Sequence, residues 1–536
     1  MRRVAFWSSL SLPSAIVVWG AWFGTFPFGV RGEWEWMRIA PDGPLGLSLV
    51  PPIVAAALYL GFVWLGQRRI PRCGPAEISA WLCGLVVAGF TWLWIVQESA
   101  PRNYDLSKAV WVLYFRGSSG YFLEARDAAQ NLPEYLSRYE DKMAEGDVLH
   151  IGTHPPGLIV IFRGLLSLCE RSEGLVDLVV ATEPDSVREA FDELRRTALR
   201  PTSPFVREHE AVLWLAALFV QAGAALTVVP LFGLLRRGLS RRPSWLATAF
   251  WPAVPALAMF VPKSDCLFPL VSAALLWLWL EGLDRQSLQL AAATGLAFCV
   301  SLSLSLAFLP VALIAALIGI GRFVAPRLTM AGTPEIAPAI DRLPIGRRAV
   351  AGLKMAFAAA IGFVAPCLLS WALWKINFLM IWWLNFRNHG GFYEQYPRTY
   401  WKWVLINPFE FAVAAGVPLT VLAVWGVVRQ WRQTHGRLEF PVWAALGVVA
   451  ALWLSGKNMG EVARLWILFI PLLVWFAGPI FEASVSTGNE PPSARAVPVG
   501  AVDSAWLSGQ LWIAALALQL ATATALVTRV AGFHYP

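Results

Sequence analysis

Two carboxylates, two histidines and a scatter of cations carry most of the chemistry this sequence offers. Asp105 and Glu124 lie in a polar stretch, 98–163, set in a mostly apolar chain. A carboxylate near a helix start could take a proton from an acceptor hydroxyl; it could equally be a solvated loop acid or a helix cap. His150 and His154 are four apart, and His154 opens the run His-Pro-Pro-Gly. Two prolines suit a helix's first turn and push the residue before them into extended geometry, so His154 is expected on a defined elbow. A neutral imidazole there could bond a phosphate or a sugar hydroxyl beside the N–H groups of the following helix; a structural corner is the plainer reading. The prolines also argue against one helix spanning both histidines as a metal pair.

Three further groups sit between apolar runs. Lys263 and Asp265 occupy a very short turn, where the lysine either pairs with its neighbour, reaches for head groups or binds phosphate. The stretch 456–464 holds Lys457, Glu461 and Arg464. Arg464 is expected to start a span, the wrong helix end for a cation, which points to an anionic partner: Glu461 or a lipid phosphate. His389 and Tyr393 open an aromatic-rich segment that closes on Arg398, suited either to a sugar ring or to the head-group belt.

The elements that must hold these residues are membrane spans. The chain is 57% hydrophobic and 15% charged, against about 25% charged in a soluble domain. Its 29 Trp cluster near the ends of apolar runs, as in interfacial belts. The class is an all-α polytopic membrane protein. The net charge of +8 comes mostly from Arg in a few short loops, which is topology information and does not imply nucleic acid. Six scattered Cys without a Cys/His cluster exclude a disulfide framework and a structural zinc; no cofactor is expected, and a divalent metal has no ligand cluster to hold it.

Apolar runs near 20 residues, oriented by Arg, predict about thirteen spans: 4–24, 45–66, 77–98, 210–233, 244–262, 266–282, 287–304, 305–321, 350–374, 404–427, 439–455, 464–482 and 508–528. The N-terminus is then cytoplasmic and the C-terminus outside. Segments 99–208 and 375–403 are outer loops, the first containing interfacial helices, and Arg-rich 322–349 is cytoplasmic. The chain divides into two N-terminal spans (1–76), a catalytic core (77–482), a cytoplasmic linker (483–507) and a last helix (508–536).

In this order the parts resemble the GT-C superfamily of membrane glycosyltransferases, nearest its protein O-mannosyltransferase and aminoarabinose-transferase branch. That branch has an outward span, an acidic motif, a Tyr-containing helix, and a His-Pro-Pro or Lys-Pro-Pro elbow opening an interfacial helix. Here these are span 77–98, the helix from Gly120-Tyr121 with Glu124, and His154-Pro155-Pro156 with the helix from 157. The likeness covers roughly residues 77–240. Gly117, Ser118 and Ser119 stand where the family has its acids, and Gly157-Leu158 where it often has Leu and sometimes Lys. The resemblance implies an inverting transfer, on the outer face of a bacterial plasma membrane, from a polyprenyl-phosphate sugar to a glycan, lipid or protein acceptor. It gives Asp105, then Glu124, as base, Tyr121 as a substrate-binding residue, Lys263, Lys457 and Arg464 as phosphate ligands, and His154 as orienting group. Two other classes remain: a lipid-linked-sugar flippase or transporter, which calls for mid-span ionisable residues that are few here, and a non-catalytic subunit of envelope-glycan assembly.

Overall fold

The computed structural model describes residues 2–42, 45–197, 204–324, 344–434, 438–485 and 511–533. Most of the expected linker 483–507 and most of the 322–349 loop lie outside them; residues 483–485 end the helix Ile470–Val485. Eight helices among the described residues are long and apolar enough to cross a membrane, from Val4–Phe23 to Ile467–Ser484. A ninth span results if Tyr400–Ala415 and Val417–Gln433, bent by 108°, count as one. Leu288–Leu304, Phe440–Leu454 and Leu511–Val527 are apolar but shorter.

Segment 244–262, expected to span, does not form one helix. It folds as Arg241–Thr248 and Pro255–Phe260 with a turn between, because Pro252 and Pro255 interrupt the backbone ladder. Almost every side chain in it is buried. Burial in protein and burial in lipid leave the same apolar signature, and only the prolines distinguish them.

The expected span 404–427 is broken at Gly416, whose φ of 89° favours glycine. A break inside an apolar bundle frees backbone groups that water cannot reach. Gln519, fully buried on the last helix, takes them up. Its Nε2 donates to the carbonyls of Ala415 (2.8 Å) and Ala253 (3.2 Å), and its Oε1 accepts from the Leu419 N–H (3.2 Å).

The loops alternate between the two ends of the bundle. At one end Arg237 pairs with Glu281 and Asp284, Arg322 with Asp284, and Arg241 donates to the Cys73 carbonyl. At the other, Glu33 accepts from the Thr399 N–H and hydroxyl, Lys402 Nζ and Trp403 Nε1. Burial raises the Glu33 pKa, but these donors outweigh it and hold it near about 2. Met37–Arg38 pairs antiparallel with Val530–Ala531 at this same end.

Segment 99–208 builds a platform of short helices with its own apolar core, among them Tyr121–Asp127, Tyr139–Ala144, Gly157–Glu170 and Asp185–Thr197. The segment after Trp374, expected as loop, is largely the helix Phe378–Gln395. Its aromatic and polar residues alternate in a way that reads as an interfacial loop. Its buried positions, Ile381, Leu384, Asn385 and Asn388, nevertheless fall on one helical stripe.

Candidate functional site

The His150–His154 turn is built from the inside. The Asp147 carboxylate accepts the backbone N–H groups of Leu149 (2.9 Å), His150 (3.2 Å) and Ile151 (2.8 Å). Those bonds hold its pKa down although burial alone would raise it. Ile151–Thr153 then make one 3₁₀ turn. Tyr139 Oη donates to the carbonyls of Ile151 (3.0 Å) and His154 (2.8 Å). Asn385 Nδ2 donates to Thr153 O (2.6 Å), and Asn388 Nδ2 to Gly152 O (2.9 Å) and Met143 O (2.8 Å). A Cβ on Gly152 would lie 2.2 Å from the Asp147 carbonyl, so only glycine fits. His154 has φ −133° and ψ 142°, the extended geometry a following proline imposes, and the next helix begins at Gly157.

This frame fixes the imidazoles. His154 Nδ1 lies 3.2 Å from the His150 carbonyl, so it carries the proton and Nε2 keeps its lone pair. His150 Nε2 faces the Gly117 carbonyl at 3.1 Å and is the donor there. Tyr121 presents its ring edge-on to both, with centroids 6.0 and 5.8 Å away. Burial pushes His154 down to about 4 and His150 well below its ordinary value; nearby Lys263 and Arg464 act in the same direction. Both imidazoles are therefore neutral at physiological pH.

Lys263 and Asp265 come to this frame from the turn between Pro255–Phe260 and Phe268–Arg285, and are 6% and 8% exposed. Arg464 comes from the one-turn helix Val462–Leu465, not from the start of a span. The long apolar helix begins only after a 3₁₀ turn at Ile467–Phe469. The expected conflict between Arg464 and a span's dipole is thus absent, and Glu461 already pairs with it at 2.6 Å. Burial pulls the Lys263 ammonium down to about 7, with Arg464 adding to the effect and Asp265 and Glu461 opposing it. Arg464 remains charged despite burial, held by Glu461 and Asp265. No described residue hydrogen-bonds the Lys263 ammonium or the Asp265 carboxylate, or forms an ion pair within 4.0 Å of either. Lys263 and Asp265 interact electrostatically with each other and with Arg464, and the same groups act on His154, with Asp265 and Arg464 also acting on Tyr121.

A groove of largely apolar residues begins at Pro262 and Ser264, the chain neighbours of Lys263. Ser119, Tyr121, Pro262 and Ser264 stand at one part of it; Ile161, Leu165 and Phe219 continue it between Gly157–Glu170 and Arg207–Leu226. Phe219 is 53% exposed on a helix long enough to cross a membrane.

The other residues singled out from sequence lie around this centre. Tyr393 Oη accepts the Met459 N–H (2.9 Å), Lys457 Nζ sits 4.8 Å above the Phe386 ring, and Arg398 lies over Trp34. His389 interacts electrostatically with Lys457 and Glu461. These residues brace loop 455–461 against the helix Phe378–Gln395. Lys457 thereby stands with Phe386 rather than with Lys263. Glu124 is enclosed, 2% exposed, accepting from Tyr135 Oη (3.1 Å) with Lys142 and Arg116 each at 4.0 Å. Asp105 accepts the Ser107 N–H (2.8 Å) and lines a separate cavity; burial raises its pKa. Between Asp105 and Cys266 lies Lys108, 3% exposed, its Nζ donating to Ala258 O (2.6 Å) and its pKa pulled by burial to about 7.

Sequence reasoning passed over Lys108, Tyr139, Asn385 and Asn388. The asparagines' i, i+3 spacing within an apolar stripe was the available signal for the last two. Among the described residues no three His, Cys, Asp or Glu side chains are grouped to hold a metal ion.

No protein-family model matches the sequence and no curated protein is similar to it. Among solved structures, the crystal structure of the Archaeoglobus fulgidus oligosaccharyltransferase in complex with Zn and sulfate aligns at TM-score 0.43 and 12% identity, over 84% of this chain and 54% of that one. The chain thus spans about half the length of that neighbour, and a likeness at this level carries no argument by itself.

Proposed function

We propose that the chain is a membrane glycosyltransferase of the GT-C type, moving a sugar from a polyprenyl-phosphate donor to an acceptor hydroxyl with inversion. One observation carries the reading. Buried Lys263 and Asp265, neither in a direct ion pair, interact with Arg464 and a neutral His154, and their chain neighbours Pro262 and Ser264 line an apolar groove. A charged phosphodiester with a long hydrocarbon tail has that combination of properties.

In the proposed reaction the isoprenoid occupies the groove and the phosphate sits between Lys263 and Arg464. The acceptor oxygen attacks the anomeric carbon, the bond from that carbon to the phosphate oxygen breaks, and its electron pair leaves on the phosphate. The two cations stabilise that charge as it develops. The acceptor proton passes to Asp265, the carboxylate within this group, in place of Asp105 or Glu124. Tyr121 and His154 orient the sugar. Arg-rich loops make their end of the bundle the cytoplasmic one, so the reaction belongs on the opposite face; Ser118→Cys would then be labelled from outside by an impermeant reagent.

The test is incubation of purified protein with a panel of polyprenyl-phosphate sugars, following release of polyprenyl phosphate. Release that disappears in Asp265→Asn while donor binding persists supports transfer. A second reading, that the chain holds or carries the donor without transferring its sugar, is favoured by Ser118 and Ser119 at the positions of the family's acids. It predicts donor binding with no release from any donor in the panel.

A further inference from the structure

Two of the six cysteines come together inside the apolar bundle. Cys299 lies on the helix Leu288–Leu304 and Cys367 on Ile345–Trp374, and their Sγ atoms are 3.4 Å apart. They are 68 residues apart in sequence, so no local spacing announces them. Cys299 is buried and Cys367 half-buried. The other four, Cys73, Cys83, Cys169 and Cys266, belong to other parts of the fold.

The backbones bring the two thiols together. A Cβ on Gly295 would lie 1.9 Å from the Ala359 carbonyl oxygen, and one on Gly362 2.0 Å from that of Ala292, so the helices touch main chain to main chain. Cys299 follows Gly295 by one turn and stands on the same helical face. Phe298 stacks on Phe363 beside the crossing. With backbones this close, small side-chain rotations bring the sulfurs to bonding distance. Both cysteines lie within about two turns of the helix ends at Leu304 and Trp374. Those ends point away from the Arg-rich loops, since one helix follows Arg285 and the other begins with Arg347 and Arg348 in its first turn. The same ends carry the platform. A Cβ on Gly157 would lie 2.4 Å from the Ser303 carbonyl oxygen, and Trp382 Nε1 donates to Leu302 O (3.2 Å).

We propose that Cys299 and Cys367 are joined by a disulfide that pins Leu288–Leu304 to Ile345–Trp374 beside the His154 elbow. The oxidant is a disulfide on the outer face, where such bonds persist. Cys367, the more exposed thiol, attacks it. The S–S bond of the oxidant breaks, one of its sulfurs leaves as a thiol with the Cys367 proton, and the other stays on Cys367. Cys299 then attacks the Cys367 sulfur, gives its proton to the second departing thiol, and closes the bond. Two electrons pass to the oxidant, which ends as two thiols. The proposal does not depend on the transfer reading. It rests on the orientation of the bundle, which labelling of Ser118→Cys decides separately.

The test uses membranes from cells producing the full chain, quenched in acid, denatured, and treated with N-ethylmaleimide without reductant before peptide mass spectrometry. The expected result is a linked peptide pair containing Cys299 and Cys367 in most molecules, with exposed Cys83 alkylated in the same sample. Reductant added before alkylation should raise labelling of both residues several-fold. It should also lower the melting temperature of the purified parent by a few degrees, and leave that of Cys299→Ser or Cys367→Ser unchanged. Alkylation of both residues in most molecules without reductant overturns the proposal, as does a link from either to another cysteine. A link whose reduction leaves the parent's melting temperature unchanged overturns the pinning.

Discussion

Two clusters of charge at opposite ends of the bundle, Glu281 with Asp284 and Lys263 with Asp265, are handled differently. At the Arg-rich end both acids sit in closed bridges: Arg237 to Glu281 at 2.7 Å, Arg322 to Asp284 at 2.7 Å, Arg285 to Glu281 at 2.6 Å. At the other end Lys263 and Asp265 are more deeply buried than Glu281 or Asp284, yet neither has an ion-pair partner within 4.0 Å. Closed pairs fix helices to one another. Open ones are costly in isolation, and the cost is understandable where a charged ligand completes them. On the proposed reading, the difference separates charges that hold helices together from charges that a ligand completes more sharply than burial does.

Four substitutions or conditions test that contrast. The largest effect is expected from Lys263→Met. Turnover of a polyprenyl-phosphate sugar should fall about 10²–10³-fold, as when a stabilising group for developing charge is lost, while melting temperature holds or rises because an unpaired buried charge is gone. A lowered melting temperature with intact turnover would erase the contrast. Asp284→Asn should do the reverse: a loss of about 1–3 kcal/mol of stability in a chemical melt, scaled down for partial exposure, with donor affinity unchanged.

The third test is pH. Burial puts free Lys263 near about 7, and a bound anion would keep it protonated. Donor affinity should therefore be flat below pH 7 and fall by up to about tenfold per unit above it. His150 and His154 are already neutral in that range, Arg464 stays charged, and a phosphodiester donor does not titrate there. Lys263→Arg should flatten the profile; a slope that persists in that variant assigns it elsewhere. The smallest effect is Tyr139→Phe, which leaves the Ile151 and His154 carbonyls without their donor. It should cost about 1 kcal/mol of stability, and the His154 turn should exchange its amide hydrogens faster.

Much of this arrangement can be read from the amino acids. Apolar runs and Arg spacing locate most spans, since both follow from lipid excluding charge. His154-Pro155-Pro156 announces its elbow through local sterics alone. Lys263, Asp265, Glu461 and Arg464 are conspicuous as polar groups at span ends and Tyr121, His150 and His154 as parts of the polar stretch 98–163, and the fold draws them into one neighbourhood. What stays hidden depends on distant partners. Nothing near Glu124 in sequence shows that Tyr135 and Lys142 enclose it, or that Asp105 opens onto a different cavity from Asp265. The late start of the helix at Ile470 is equally silent, because 465–481 is apolar throughout. Asn385 and Asn388 are visible as a stripe but acquire meaning only once Gly152 and Thr153 lie beneath them.

Gln519 gives the molecule an order of assembly. The bend at Gly416 exposes its backbone groups as soon as residues 400–433 enter the bilayer, yet the side chain that satisfies them arrives nearly ninety residues later. The same last helix leads into the strand Val530–Ala531, which closes on Met37–Arg38 near the opposite end of the chain. A chain truncated before residue 511 would thus leave the Ala415 carbonyl and the Leu419 N–H without their side-chain partner in the apolar interior. The joint at Gly416 is closed only where the helix Leu511–Val527 packs against it.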